Sequence, residues 1–177
     1  MDKNWMALWQ RQNQLAEVLE TNRVAERFGL ALSRQEAEMI VEERVNALKA
    51  HQRVEFGAGI MPLIIYEFCD SDFIVQSNYA ATLVRLQDIF YLYKNEMQDE
   101  ISDEELLHFM KEQFETVCFG DLDYLEGTCL NIFAQAVRAG YDGYKASEGY
   151  GEYGKFDEVQ RWDYELYQEA LRELFWR

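Results

Sequence analysis

SRQEAEMIVEERVNALKA, residues 33–50, is the stretch whose reading decides the fold. Ser33 stands three residues before Glu36, the spacing at which each side chain satisfies a backbone N–H left free at a helix start. Ala37, Ile40, Val41, Val45 and Leu48 then recur at three- and four-residue steps, one apolar stripe on a helix of 3.6 residues per turn. Neither Gly nor Pro interrupts the run, so the pattern predicts a helix ending near Ala50.

The same punctuation recurs on both sides. Upstream, residues 4–20 place Trp5, Leu8, Trp9, Leu15, Val18 and Leu19 roughly on one face, and a short helix over 22–28 stops at Gly29, a residue suited to the left-handed closing conformation. Downstream, Val54-Glu55-Phe56-Gly57-Ala58-Gly59 interrupts the helices before one that starts at Pro62 and ends near Cys69. Ser77 is the expected cap of the longest helix, Asn78 to about Gln98, whose Leu83, Leu86, Ile89, Phe90 and Tyr93 place it at the centre of a bundle. Ser102 and Glu105 repeat the capping spacing ahead of a helix through Leu106, Phe109, Met110, Phe114 and Val117 to Gly120, and Asp121 opens another to Gly140.

The fold class that follows is all-α: a compact bundle of six or seven helices. Residues 1–140 form the helical domain and 141–156 a Gly/Tyr-rich connection with Tyr141, Tyr144, Tyr150 and Tyr153. Residues 157–177 read as an amphipathic C-terminal helix with Val159, Trp162, Leu166, Ala170 and Leu174 along one side, flanked by Tyr167, Leu171 and Phe175. A stripe of that size is too large to leave in water, so this helix is expected to pack on the domain or on a second copy. No internal repeat is present at a fixed period.

Composition narrows the function. With 177 residues the chain is long enough to bury about two-thirds of its unfolded surface, and 11 Phe, 4 Trp and 11 Tyr separate it from a disordered acidic tail. Seventeen Lys and Arg against 33 Asp and Glu give a net charge of −16, a field that repels phosphate backbones and anionic membranes, so nucleic acid is excluded as a partner. The longest apolar run, Ile60 to Tyr66, is too short to span a bilayer, and the N-terminus has no apolar signal segment. Cys69, Cys118 and Cys129 are odd in number and widely spaced among apolar neighbours, the pattern of buried free thiols in a reducing cytoplasm.

Several motifs fail on their own chemistry. Gly149-Tyr-Gly151-Glu-Tyr-Gly154 has the letters of a dinucleotide loop, but no strand delivers it and Glu152 would face phosphate. Glu105 and His108 have the E-x-x-H spacing of di-iron bundles, yet the other histidine, His51, has Leu48 at the matching place. Asp121, Asp123 and Glu126-Gly127 begin like a calcium loop but put Leu125 where a ligand belongs. The cysteines lack C-x-x-C spacing, and no Walker, Gly-x-Ser-x-Gly or HExxH pattern occurs. No catalytic residue, metal ligand or cofactor is expected.

Two features remain. Between Asn95 and Gly127 eleven Asp or Glu are compensated only by Lys111, an expected exposed face open to a protein partner, although helix starts account for part of the acidity. Arg53, Glu55, Gly57 and Gly59 flank the main interruption, with Glu67, Asp70 and Asp72 around the end of the next helix. Charged groups beside a glycine turn inside a bundle can line a binding cleft. The structural alternative has Arg53 pair with a nearby carboxylate and, with Glu55, tie the connection to an adjacent helix.

The segments Arg27-Phe-Gly-Leu-Ala-Leu-Ser-Arg-Gln-Glu-Ala, Arg53-Val-Glu-Phe-Gly-Ala-Gly and Phe68-Cys-Asp-Ser resemble an uncharacterised helical family of Clostridia and related Firmicutes, catalogued as a domain of unknown function. The resemblance spans about residues 20–135, with R-V-E-F-G-x-G its most specific part. It implies a cytoplasmic bacterial protein and carries no activity, cofactor or catalytic residue. The functional expectation is a non-catalytic, acidic helical protein acting through protein–protein contacts. The acidic face and the C-terminal helix are its surfaces, with homodimerisation open. A polar small-molecule or enzyme cleft near Arg53–Gly59 is the alternative.

Overall fold

A computed structural model describes residues 3–140; the connection over 141–156 and the segment 157–177 lie outside the described residues. The elements are α1 (Lys3–Glu20), α2 (Asn22–Ala25) with a 3₁₀ turn Glu26–Phe28, α3 (Arg34–Ala50), α4 (Met61–Phe68), α5 (Tyr79–Glu96), α6 (Asp103–Thr116), α7 (Leu122–Tyr124) and α8 (Leu130–Arg138). A π turn, Leu125–Cys129, joins the last two into one helical stretch. Among the described residues there is no strand.

Helix starts follow the local chemistry. Ser33 Oγ accepts from Glu36 N–H while Glu36 Oε1 accepts from Ser33 N–H, a complete capping box. Ser102 Oγ accepts from Glu105 N–H, and Asp121 Oδ1 accepts from Asp123 and Tyr124 N–H. Gly29 closes its turn at φ +76° and Pro62 occupies the first turn of α4. The expected cap at Ser77 is displaced: residues 76–78 form a 3₁₀ turn, and Asn78 Oδ1 accepts from Val75 N–H. A side chain that reaches three residues back secures this start better than a serine inside the turn.

The core surrounds α5. Leu83, Leu86, Ile89, Phe90 and Tyr93 are buried as expected, and α3, α4, α6 and α8 all pack on this helix. Phe109 stacks on Phe133 with centroids 3.8 Å apart, and Phe68 meets Phe114 edge-on, fixing α6 between α8 and α4.

Two apolar stripes differ from expectation. On α3, Val45 is exposed and Arg44 takes the buried place four residues after Ile40. On α1, Leu15 and Val18 are buried, but Trp5, Met6, Leu8 and Trp9 stand exposed. The reason is geometric. The last turns of α1 reach the core, whereas its first turns run beyond it, and no described element covers them.

The acidic stretch also differs. Its compensation comes from outside the stretch, from Lys94 just before it and from cations far along the chain: Asp99 meets Arg53 and Lys94, Asp103 meets Lys94, Asp123 and Glu126 meet Arg85, and Glu96 meets Arg138. Glu105 is buried rather than solvated. Among the described residues no helix is long and apolar enough to cross a membrane, and no group of three His, Cys, Asp or Glu side chains is placed to hold a metal.

Candidate functional site

The connection between α3 and α4 is built on alternation. Over Arg53-Val54-Glu55-Phe56 successive side chains point to opposite sides, as in any extended segment. Arg53 and Glu55 turn toward the bundle, while Val54 and Phe56 are 78% and 89% exposed. Gly57 and Gly59, at φ +62° and +66°, then reverse the chain into α4.

Glu55 is anchored by Arg44, which is only 4% exposed. Arg44 Nε donates to Glu55 Oε1 at 2.9 Å, and Nη1 donates to the Gly57 carbonyl at 2.8 Å. Tyr91 of α5 donates its hydroxyl to the same Glu55 oxygen. Ile60 N–H donates to Glu55 Oε2 at 3.1 Å. Burial and the neighbouring Glu55 carboxylate push the Tyr91 phenol well above its ordinary pKa, so it remains a donor throughout the working range. Both carboxylate oxygens are thus engaged in holding the connection, which assigns Glu55 a scaffolding role.

Neither Arg44 nor Tyr91 stands out as a site residue in the sequence. Position 44 continues the Ala37–Ile40–Val41 stripe, the one signal available. An arginine there reads as surface until its partners are known, because a charge is rarely buried unless paired.

Arg53 anchors the same connection to the C-terminal end of α5. Its Nη1 donates to Asn95 Oδ1 at 2.7 Å, its Nη2 to Asp99 Oδ1 at 2.8 Å, and Asn95 Nδ2 donates back to the His51 carbonyl. The hydrogen bond from Arg53 holds Asp99 below the usual carboxylate range against the opposing effect of burial. Because the folded pKa lies below the unfolded one, this pair contributes at neutral pH and is lost as pH falls through the folded value. Arg53→Ala is expected to lower stability by about 1 kcal/mol, roughly 2–4 °C in Tm for a chain of this size, with the difference from wild type shrinking under acid. Thermal melts of both proteins at neutral pH and near pH 3 check it.

The remaining candidates form a separate group where α4 meets α6. Lys111 Nζ donates to the Glu67 carbonyl at 2.6 Å and to Asp70, and lies 3.4 Å from Glu115. Burial alone would lower the Lys111 pKa, but Asp70 and Glu115 outweigh it and the value ends above the ordinary one. His108 Nδ1 sits 3.4 Å from Glu67 Oε1. Asp72 is exposed and takes no part in the Lys111 contacts. The structure therefore brings together Arg53, Glu55, Gly57 and Gly59 on one connection, and Glu67 with Asp70 in another place.

What the anchored connection presents is Phe56. It faces Trp9 across a cleft of 410 Å³ between α1 and the connection, with Gln10, Asn13, Glu17 and Glu55 along its walls. Trp5, Leu8 and Trp9, at i, i+3 and i+4, continue an apolar face along α1. A second groove of 510 Å³ separates α1 from α3 and is lined by Leu8, Arg11, Val41, Val45 and Lys49 among others.

A family model described as a family of unknown function (DUF6323) matches residues 17–143. No curated protein and no solved structure matches the chain.

Proposed function

The chain belongs to that family of unknown function, and from this premise we propose that it acts without catalysis, through protein–protein contact at the face formed by α1 and the 54–56 connection. The observation that carries the reading is the pairing of a rigid anchor with an unburied load. A buried arginine, a glutamate, a tyrosine and two positive-φ glycines fix a connection whose Val54 and Phe56 then stand in solvent, Phe56 across the cleft from Trp9. Large aromatic residues left exposed in a contiguous face mark contact surfaces, and Trp and Phe are the side chains that dominate such contacts. The acidic surface supports docking less, since Arg53, Lys94, Arg85 and Arg138 neutralise much of it within the chain.

The occupant we assign to this face is an amphipathic helix with an aromatic stripe and net negative charge, and the chain's own segment 157–177, outside the described residues, has the sequence pattern of one. Residues 4–14 carry Arg11, which lies 3.6 Å from Glu42 of α3, and no acidic side chain, whereas 157–177 hold six acidic residues against three basic ones. The path is short. Arg138, at the end of α8, bonds Glu96 at the C-terminal end of α5, the same end at which Arg53 anchors the connection bearing Phe56. Sixteen residues, 141–156, separate that end from segment 157–177 in the sequence, and both lie outside the described residues. Docking within one chain is favoured over exchange between two copies by its higher effective concentration. A reducing cytoplasm is the setting that suits the three free, buried cysteines.

Leu166→Asp in the full chain is expected to free the face by placing a charge in the docking stripe. A labelled peptide of residues 157–177 should then bind the Leu166→Asp chain, by fluorescence anisotropy, several-fold more tightly than wild type. Adding Trp9→Ser and Phe56→Ser should abolish that binding while leaving the unfolding free energy from urea titration within about 0.5 kcal/mol of the Leu166→Asp parent, because both residues are exposed. Absence of peptide binding to the freed chain would end the contact reading. A light-scattering mass of two chains for wild type, lost in Leu166→Asp, would keep the face and move its occupant to a second copy.

A further inference from the structure

The end of α6 and the π turn bring two thiols into contact. Cys118 Sγ and Cys129 Sγ lie 3.4 Å apart, both buried, in a structure where neither is bonded to the other. Three elements hold them there. Cys118 N–H donates to the Gln113 carbonyl, Gly120 N–H to the Phe114 carbonyl, and Tyr93 of α5 donates its hydroxyl to the Glu126 carbonyl within the π turn. A π turn carries one extra residue per turn, and this one ends at Cys129, setting that side chain against the end of α6.

We infer that Cys118 and Cys129 are a redox modification site, a dithiol that a hydroperoxide converts to an intramolecular disulfide and a small thiol converts back. The separation is that of sulfurs in van der Waals contact, so closing the bond asks for a further approach of little more than 1 Å from two side chains already facing each other. The hydrogen bond between them holds Cys129 below the ordinary thiol pKa against the opposing effect of burial, while that bond and burial push Cys118 well above it. The hydrogen bond shared by the two thiols favours one thiolate within the pair, and that sulfur is the attacking one. Its thiolate takes one oxygen of the hydroperoxide, giving a sulfenic acid and releasing water or an alcohol. The other sulfur then attacks the sulfenic sulfur, its proton leaving with the displaced hydroxyl as water. Two thiols and one hydroperoxide yield one disulfide, with both oxygens of the oxidant leaving as water or alcohol.

Access runs past the connection at residues 119–120. Cys118 is slightly exposed, and the neighbouring Phe119 is in solvent at φ +48°, so the pair lies nearest to solvent on this side. Cys69 provides an internal comparison. It is equally buried, but its Sγ is directed to the Tyr66 carbonyl and burial raises its pKa. It should stay reduced.

The test uses the reduced full-length chain and one equivalent of hydrogen peroxide, followed by alkylation in denaturant and trypsin. Cleavage at Lys111 and Arg138 places Cys118 and Cys129 in one peptide, while Cys69 falls in the peptide between Arg53 and Arg85. The expected result is a 112–138 peptide lighter by two hydrogens and not alkylated, Cys69 fully alkylated, and complete recovery of both thiols with dithiothreitol. Cys118→Ser and Cys129→Ser should each leave one thiol without its resolving partner, so the lighter peptide disappears in both and a sulfenic-acid probe labels the remaining cysteine of the pair in at least one; the alanine variants give the same readout should serine disturb the buried site. Alkylation of all three cysteines under conditions that oxidise free dithiothreitol would overturn the proposal, as would oxidation of Cys69 before the pair.

Discussion

Replacing Glu55 by alanine is expected to cost about 3–5 kcal/mol, the range seen when one member of a buried ion pair is removed and the other charge stays behind. The size follows from the company Glu55 keeps. Without its carboxylate, Arg44 loses its one charged partner, the Tyr91 hydroxyl loses its acceptor, and Ile60 N–H loses the bond that starts α4. Among the described residues Arg44 is already short of partners, since its Nη2 is buried without a hydrogen bond. Its remaining bond, to the Gly57 carbonyl, does not neutralise it. Urea unfolding should show the midpoint falling sharply with little change in slope. The double variant Arg44→Met with Glu55→Gln should unfold later than the sum of the two single changes predicts, because it removes the charge as well as its partner. A wild-type midpoint for Glu55→Ala would mean that the pair does not hold the connection.

Gly59→Ala is expected to be nearly as damaging, for a separable reason. A Cβ at this position would lie 2.7 Å from Glu55 Cδ and 2.8 Å from Arg44 Nη2, distances real side chains do not tolerate. The backbone there is also at φ +66°, which costs a non-glycine residue about 1–2 kcal/mol. Gly57→Ala isolates the second effect, since its φ is +62° but nothing lies within 4 Å of a Cβ there. Gly57→Ala should therefore lose only the conformational part, about 1–2 kcal/mol, and Gly59→Ala about 3 kcal/mol or more. Equal losses at the two positions would show that the Arg44–Glu55 pair yields freely to a methyl group.

These comparisons give R-V-E-F-G-x-G a physical reading that its letters do not announce. Arg53 and Glu55 are two anchors on one side of an extended segment, Val54 and Phe56 its presented side, and the glycines the turn that lets Arg44 close underneath. The helix starts were legible because a cap is a short-range event: Ser33, Ser102 and Asp121 bond backbone within three residues of themselves. Arg44 was not legible, since what permits its burial lies 11 and 47 positions away in Glu55 and Tyr91. The exposure of Trp5, Leu8 and Trp9 was hidden for a similar reason. An amphipathic pattern shows that a face seeks cover and does not say whether the folded domain supplies it. The charge of residues 95–127 misled likewise, because its compensating cations arrive from α3–α4, α5 and α8 through tertiary contacts. Of the candidate site, Arg53, Glu55, Gly57 and Gly59 come together, whereas Glu67 and Asp70 serve the Lys111 junction and Asp72 joins neither.

Deuterium uptake over residues 4–12 of the full-length chain, compared between wild type and Leu166→Asp, tests the contact face most directly. Cover by the 157–177 segment predicts slow exchange in the first turns of α1 in wild type and a marked rise in Leu166→Asp, with the central turns of α5 unchanged as evidence of an intact core. Rapid exchange over 4–12 in both proteins, or slow exchange that Leu166→Asp leaves untouched, would contradict the assignment of that face to an amphipathic helix.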